Sequence, residues 1–400
     1  MKKIITIFIL CIMLFLMCTN IYATEADTSE ENLVLQPVTN GEKTQVEAKI
    51  INVGDPYVKE EAEGIKRTLQ DVTIEIKEGK YKGQKIDTVY VMTYDVDNKI
   101  IGYKLNKGNS VIVQLSTDGD TITEVSIQEI VRQNYILLMI IMFFAIIILI
   151  GKKQGLKAIA GLVVTIFAIY FIMIKGIYAG KNAVWLSIMT SVVIIVLTFI
   201  IIAGFNKKSL TAALGTSGGV ISAGIVAAIF GYISKISGVT EEALFLAVSS
   251  HQIVFNFKDL FFAGIVISAL GACMDVGMSI ASALDEIKQK NPNITWKELL
   301  KSGMNIGGDV IGTMTNTLIL AYVGGALTLI LLFMASNMSI GEIVNKETIA
   351  TEVVSALAGS MGVVFTVPIT SLVYSLLNKK KTVYDTKAKN VVEGKRSLKI

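Results

Sequence analysis

One histidine, three cysteines and four prolines in 400 residues leave little room for several common chemistries. His251 alone cannot build a multi-histidine metal centre. Cys11 and Cys18 fall in the N-terminal leader and Cys273 stands inside an apolar run, so neither a disulfide framework nor a cysteine metal site is expected. Charge is scarce too: 18% charged residues against 52% hydrophobic, a net charge of +4 and a mean hydropathy of +0.60. That balance belongs to multi-span membrane proteins. No phosphate-binding loop, dinucleotide fingerprint or Ser/His/Asp arrangement occurs, which argues against ATP-driven pumping by this chain alone and against an enzyme. No cofactor is expected. Glycine, in contrast, is plentiful (33) and gathers in the apolar half, where small residues let membrane helices approach closely.

Residues 1–23 read as a signal peptide or signal anchor: Lys2 and Lys3 form the basic region, Ile4 to Met17 the apolar core, and Ala23 or Ala26 a cleavage point. Residues 24–40, rich in Thr, Glu, Ser and Asn, suit a disordered lead-in. Residues 41–132 form an exported β domain. Its alternating runs are Gln45–Ile50, Val72–Lys77, Thr88–Thr93 and Ser110–Leu115, parted by Gly54-Asp55-Pro56, Glu78-Gly79-Lys80, Asp97-Asn98-Lys99 and Lys107-Gly108-Asn109. That spacing suggests a small OB-like barrel. It lacks an aromatic-plus-basic stripe, so nucleic acid is not an expected partner.

Residues 133–378 contain about seven runs of membrane-spanning length: Tyr135–Ile150, Leu156–Ile174, Val184–Ala203, Leu210–Ile233, Leu260–Ala283, Val310–Ala335 and Thr351–Leu377. Residues 379–400 are a basic tail opened by Lys379-Lys380-Lys381. If the β domain is outside, the inner segments hold Lys152, Lys153, Lys157, Lys207, Lys208, Lys288, Lys290, Lys297, Lys301 and the tail. The outer loops hold only Lys175, Lys181, Lys235, Lys258 and Lys346, so the C-terminus is expected in the cytoplasm. Counting Glu241–Phe257 as a span would invert this order, so it reads as an outer amphipathic or re-entrant element. The fold expected is an all-α polytopic membrane bundle with an exported all-β domain, in the cytoplasmic membrane of a bacterial cell.

Within the fifth run Asp275, Ser279 and Ser282 fall at i, i+4 and i+7, within about 40° on a helix. Asn305, Asp309, Thr313 and Asn316 repeat the spacing around the start of the sixth, with Thr317 at the edge. A carboxylate in hydrocarbon costs roughly 2.5–3.5 kcal/mol on insertion scales, so Asp275 is the strongest functional candidate. Two such stripes, if they face each other, would line a path for a proton or small cation, with hydroxyl and amide oxygens as neutral ligands. The plainer account makes Ser279, Ser282 and Thr317 packing glue, worth about 0.6 kcal/mol per interhelical bond. Asp309 in that account charges a helix N-terminus. Gly303, Gly307, Gly308 and Gly312 predict a break or a cytoplasmic extension of the sixth helix, and Pro368 a kink in the last. Gly215, Gly218, Gly219 and Gly224 read as packing positions, and His251 as interfacial or packed. Expected partners are membrane lipids, an ion or small solute, and either further copies of the chain or a second membrane subunit.

The blocks GACMDVGMSIASALDEI (Gly271–Ile287) and SGMNIGGDVIGTMTNTLILAYVG (Ser302–Gly324), with VPITSLVYSLL (Val367–Leu377), resemble the YibE/F-like membrane protein family. The resemblance covers most of residues 40–378 and implies a multi-span bacterial membrane protein without an established substrate. It also implies a basic residue at position 308, where this chain has Gly308, so Asp309 lacks that neighbour. The Asp-bearing span followed by a short cytoplasmic segment and a Thr-rich span also resembles permeases of the resistance-nodulation-division group. By that likeness Asp275 would couple proton movement to the exported domain. The rival expectation is a scaffold whose exported domain binds an envelope protein.

Overall fold

A computed structural model describes residues 42–60, 66–94, 103–249 and 255–379; the leader, the lead-in, the turn Asp97-Asn98-Lys99, His251 and the tail beyond Lys379 lie outside them. The chain divides into two units between Ile146 and Ile147.

The first unit is built from β1 (Glu42–Val53), β2 (Tyr57–Glu60), β3 (Lys66–Ile76), β4 (Lys85–Tyr94), β5 (Ser110–Asp118) and β6 (Thr121–Ile130), all antiparallel to their partners. β1 lies between β3 (Ile50 opposite Ile74) and β5 (Val46 opposite Val113). β2 follows β1 along the same edge of β3, while β4 takes the other edge (Gln70 opposite Tyr90) and β6 closes on β5. The outermost strands meet where Thr88 Oγ1 donates to the Val125 carbonyl at 2.9 Å. Alternate residues turn inward, so Val46, Ala48, Ile50, Val72, Ile74, Ile76, Val111, Val113 and Leu115 form one core. All four predicted strands are present, the second ending one residue early at Ile76, and β2 and β6 are additional.

The second unit is helical, and the first ends in the start of its first helix, residues 133–146. α1 (Gln133–Ala168) is interrupted at Lys152 (φ 48°, ψ −124°), between the first two expected spans. Just beyond it Gly155 lies so close to the Ile147 carbonyl that no Cβ fits. A π-helical turn (Ile169–Ile174) continues α1 into α2 (Lys175–Tyr178). Then follow α3 (Ala183–Ala203), α4 (Lys207–Ile233), α5 (Glu241–Ser249), α6 (Phe257–Lys290), α7 (Trp296–Ala335), α8 (Ile340–Asn345) and α9 (Glu347–Leu377). Among the described residues six helices are long and apolar enough to cross a membrane, the run Gln133–Tyr178 counting as one. α5, nine residues long, is about half the length a span needs.

Asparagine opens three of these helices: Asn182, Asn206 and Asn256 accept from the backbone N–H of Trp185, Ser209 and Asp259. Thr295 and Glu298 form a capping box at α7. α7 runs unbroken through Gly303, Gly307, Gly308 and Gly312; its 40 residues span roughly 60 Å, twice the hydrocarbon thickness. Of the two outcomes expected at these glycines, a break or an extension, the helix shows no break and is longer than a bilayer requires. α9 also continues through Pro368.

Inside this unit α9 packs on α4, α6 and α7 through small residues. Thr366 and Thr370 of α9 fill the notches left by Gly219 and Gly215 of α4, and Ser371 fills that of Gly303. Gly277 of α6 admits Thr216, whose Oγ1 donates to the Cys273 carbonyl at 3.2 Å. In lipid, where no hydrophobic force drives helices together, such close packing holds the bundle.

Candidate functional site: the outward face of two helices

α6 has two unlike faces. Ala263, Val266, Leu270, Cys273, Val276, Gly277, Ile280 and Leu284 are buried at helical spacing against the bundle. On the opposite side Gly264, Ser268, Gly271, Asp275 and Ser279 are exposed, with Ser282 half-buried at the edge. Asn256 caps the start of this helix, and Lys288 and Lys290 complement the dipole at its end.

α7 repeats the division. Leu299, Gly303 and Gly307 are buried, whereas Asn305, Gly308, Asp309, Gly312, Thr313, Asn316 and Thr317 are exposed. All six predicted path residues, Asp275, Ser279, Asn305, Asp309, Thr313 and Asn316, therefore lie on the sides of their helices turned away from the buried core. Among the described residues no hydrogen bond joins the two stripes at these six positions, and the carboxylates of Asp275 and Asp309 and the amides of Asn305 and Asn316 make none at all. Thr313 Oγ1 donates within its own helix, to the Asp309 and Val310 carbonyls at 3.2 and 3.1 Å. Thr317 does the same to Thr313 at 2.9 Å, a bond within its helix rather than the interhelical one of the plainer account.

One bond does link the two helices on this side: Tyr322 and Ser268 share a hydrogen bond of 3.0 Å between their hydroxyls. It fixes the relative level of α6 and α7. At about 1.5 Å per residue, Asp275 stands about 10 Å from that bond along α6 and Asn316 about 9 Å along α7. They are level. Ser279 falls beside Gly312 and Thr313, and Asp309 lies about 20 Å away, toward the lysine-rich end. Sequence reading missed Ser268, though it lies seven residues before Asp275 on the same stripe.

The stripes contain no cation: from Leu260 to Leu284 and from Ser302 to Ala335 there is no Lys or Arg. Among the described residues no group of three potential metal ligands comes together. The arrangement offers two carboxylates, two amides and several hydroxyls on a surface of spanning helices. Carboxylates exchange protons, and with amide and hydroxyl oxygens they can ligate a small cation.

At the lysine-rich end the bundle has a second polar contact unforeseen from sequence. Tyr374 of α9 donates to Asp285 Oδ1 at 2.9 Å, and Gln289 donates to Oδ2 at 2.8 Å. The Nζ of Lys379 sits 5.7 Å from the Trp296 ring centroid, tying the end of α9 to the start of α7.

No curated protein and no solved structure matches the chain. The family model described as YibE/F-like protein matches residues 139–380, which takes in every long helix from α3 to α9 and both polar stripes. With more than half of its length matched, the chain belongs to the YibE/F-like family.

Proposed function

We propose that the chain is a transport-type integral membrane protein, coupled to a proton or small cation through Asp275, with Asp309, Ser279, Thr313, Asn316 and Asn305 along the path. It moves a solute or ion rather than making or breaking bonds. The observation that carries this reading is a carboxylate far from either end of a spanning helix, on a face rich in polar groups and free of cations. A side chain serving only to pack would be Asn or Ser there, at lower cost.

The break at Lys152 supports counting Gln133–Tyr178 as two spans, which makes seven in all. The lysine asymmetry then supports a cytoplasmic C-terminus and a β unit outside the cell, delivered by the leader. The strand order β4-β3-β1-β5-β6, with Thr88 near Val125 at the seam, supports a barrel of OB type.

The test is flux in reconstituted vesicles carrying a pH- or ion-sensitive dye. Asp275→Asn should abolish coupled flux with insertion unchanged; equal flux in the variant would remove Asp275 from the path. A second reading, a non-transporting scaffold, draws support from Tyr57, Val89 and Val91, which leave apolar side chains exposed on one face of β2 and β4, suited to an envelope protein. Absence of flux from the wild-type chain, with envelope defects on its deletion, would favour it.

A further inference from the structure

We propose that a second copy of this chain covers the α6–α7 face, so that Asp275 of each copy lies against Asn316 of the partner copy about a two-fold axis along the membrane normal. This deepens the transport reading, on which the use of the interface as a path rests; the pairing itself stands on the following geometry.

The face needs a cover. Asp275 and Asn316 are exposed within the membrane-spanning parts of their helices, and their side chains have no hydrogen-bond partner among the described residues. Acyl chains offer them none. With no Lys or Arg on either stripe, the chain's own complement to a carboxylate is an amide or hydroxyl donor.

A second copy supplies that complement at the correct depth. Rotation about the membrane normal leaves every residue at its own level, and a two-fold contact is self-complementary. A residue therefore meets partner residues that are level with it. The Ser268–Tyr322 bond places Asp275 level with Asn316 and Ser279 level with Gly312 and Thr313. Setting α6 of one copy against α7 of the other brings acceptor to donor twice, once on each side of the axis. Setting α6 against α6 would bring Asp275 to Asp275.

The glycines divide in the same sense. A Cβ at Gly215, Gly219, Gly303 or Gly307 would strike a neighbouring helix of the same chain. One at Gly264, Gly271, Gly308 or Gly312 would meet nothing within 4 Å. The first set is occupied by the fold. The second marks the places on the polar face where another helix can approach at backbone distance.

The experiment uses the full chain in liposomes, with Cys11→Ala, Cys18→Ala and Cys273→Ala as background. Copies bearing Ser279→Cys and copies bearing Gly312→Cys, differently tagged, are mixed and oxidised. A disulfide between the two tags is expected at least tenfold above that from Val192→Cys with Val196→Cys, both on the exposed side of α3. Gly312→Leu, at a position where an added Cβ meets nothing within 4 Å, should keep the helical circular dichroism while lowering the protein in each nanodisc from two chains to one. A wild-type particle of single-chain mass with no cross-tag disulfide overturns the pairing. Cross-linked dimers whose dye flux ignores Asp275→Asn would uphold the pairing and sink the transport reading. Coupled flux from single-chain particles would do the reverse.

Discussion

The hydroxyl of Tyr374 donates to the carboxylate of Asp285 across 89 residues of sequence, and Tyr374 is 1% exposed. A hydrogen bond to a charged group contributes about 1.5–3 kcal/mol. Gln289 still holds the other carboxylate oxygen, so Tyr374→Phe should cost about 2 kcal/mol rather than unfold the bundle. Thermal unfolding of Tyr374→Phe, Asp285→Ala and the double variant in one detergent forms a cycle that isolates the pair. Additive losses would mean that the two groups do not couple.

Gly219 of α4 and Gly359 of α9 are both glycines within long helices, and their substitution should differ in sign. A Cβ at Gly219 overlaps Thr366 Oγ1 and comes within 2.7 Å of the Gly362 carbonyl. Backbone cannot yield as a side-chain tip can, so Gly219→Ala should cost about 1–3 kcal/mol. A Cβ at Gly359 meets nothing within 4 Å, and Gly359→Ala should be neutral or stabilising by up to about 1 kcal/mol. Melting temperatures in one detergent check the pair; equal shifts would sink the distinction.

Legibility follows the strength of the local pattern. Six of the seven expected spans lie wholly inside long helices and the seventh differs only at its α1–α2 junction, because runs near 20 apolar residues have few other readings. The stripes were legible because polar residues at i, i+4 and i+7 stand out in an apolar helix. What they face was not legible, since helix pairing follows from tertiary packing and both stripes turn out to face away from the core. β6 escaped because Ile122 and Val125 are three apart, breaking alternation where the register shifts near Ser116 and Thr117. Tyr374–Asp285 escaped because each partner looks ordinary alone at the end of its helix.

In the β unit, Lys77 lies 2.6 Å from Glu75 and donates to it; that bond first, then the lysine's charge, holds the Glu75 carboxyl below its ordinary range. Lys80 acts in the same way on Asp120. A carboxyl whose value is lowered on folding contributes stability above its unfolded value, about 4.3 for Glu, and loses it as pH falls through the folded value. The side-chain carboxyl shift of Glu75 should therefore titrate with a midpoint below about 4.3, and Lys77→Met should move it upward. A wild-type midpoint at or above 4.3 would show that the pair does not form in solution.

Gln70 is the sharpest test of the β unit, because its side chain is fully buried and fully used. Its Nε2 donates to the carbonyls of Gly54 and Leu105 at 3.1 and 3.0 Å, and its Oε1 accepts from the Leu105 N–H at 2.9 Å. One amide thus satisfies both backbone groups of Leu105, itself 0% exposed, and ties the segment before β5 to the turn after β1. Gln70→Leu fills much the same volume but orphans those groups, at about 1–3 kcal/mol each. Gln70→Glu loses both donors and buries an acceptor against two carbonyls, so it should be worse than Gln70→Leu. Hydrogen exchange at Leu105 reads the contact directly: Gln70→Leu should lower its protection about a hundredfold, roughly 2.7 kcal/mol, with amides in α6 and α9 unchanged. Undiminished protection at Leu105 would mean that water or another group satisfies that backbone, and that Gln70 does not hold the segment.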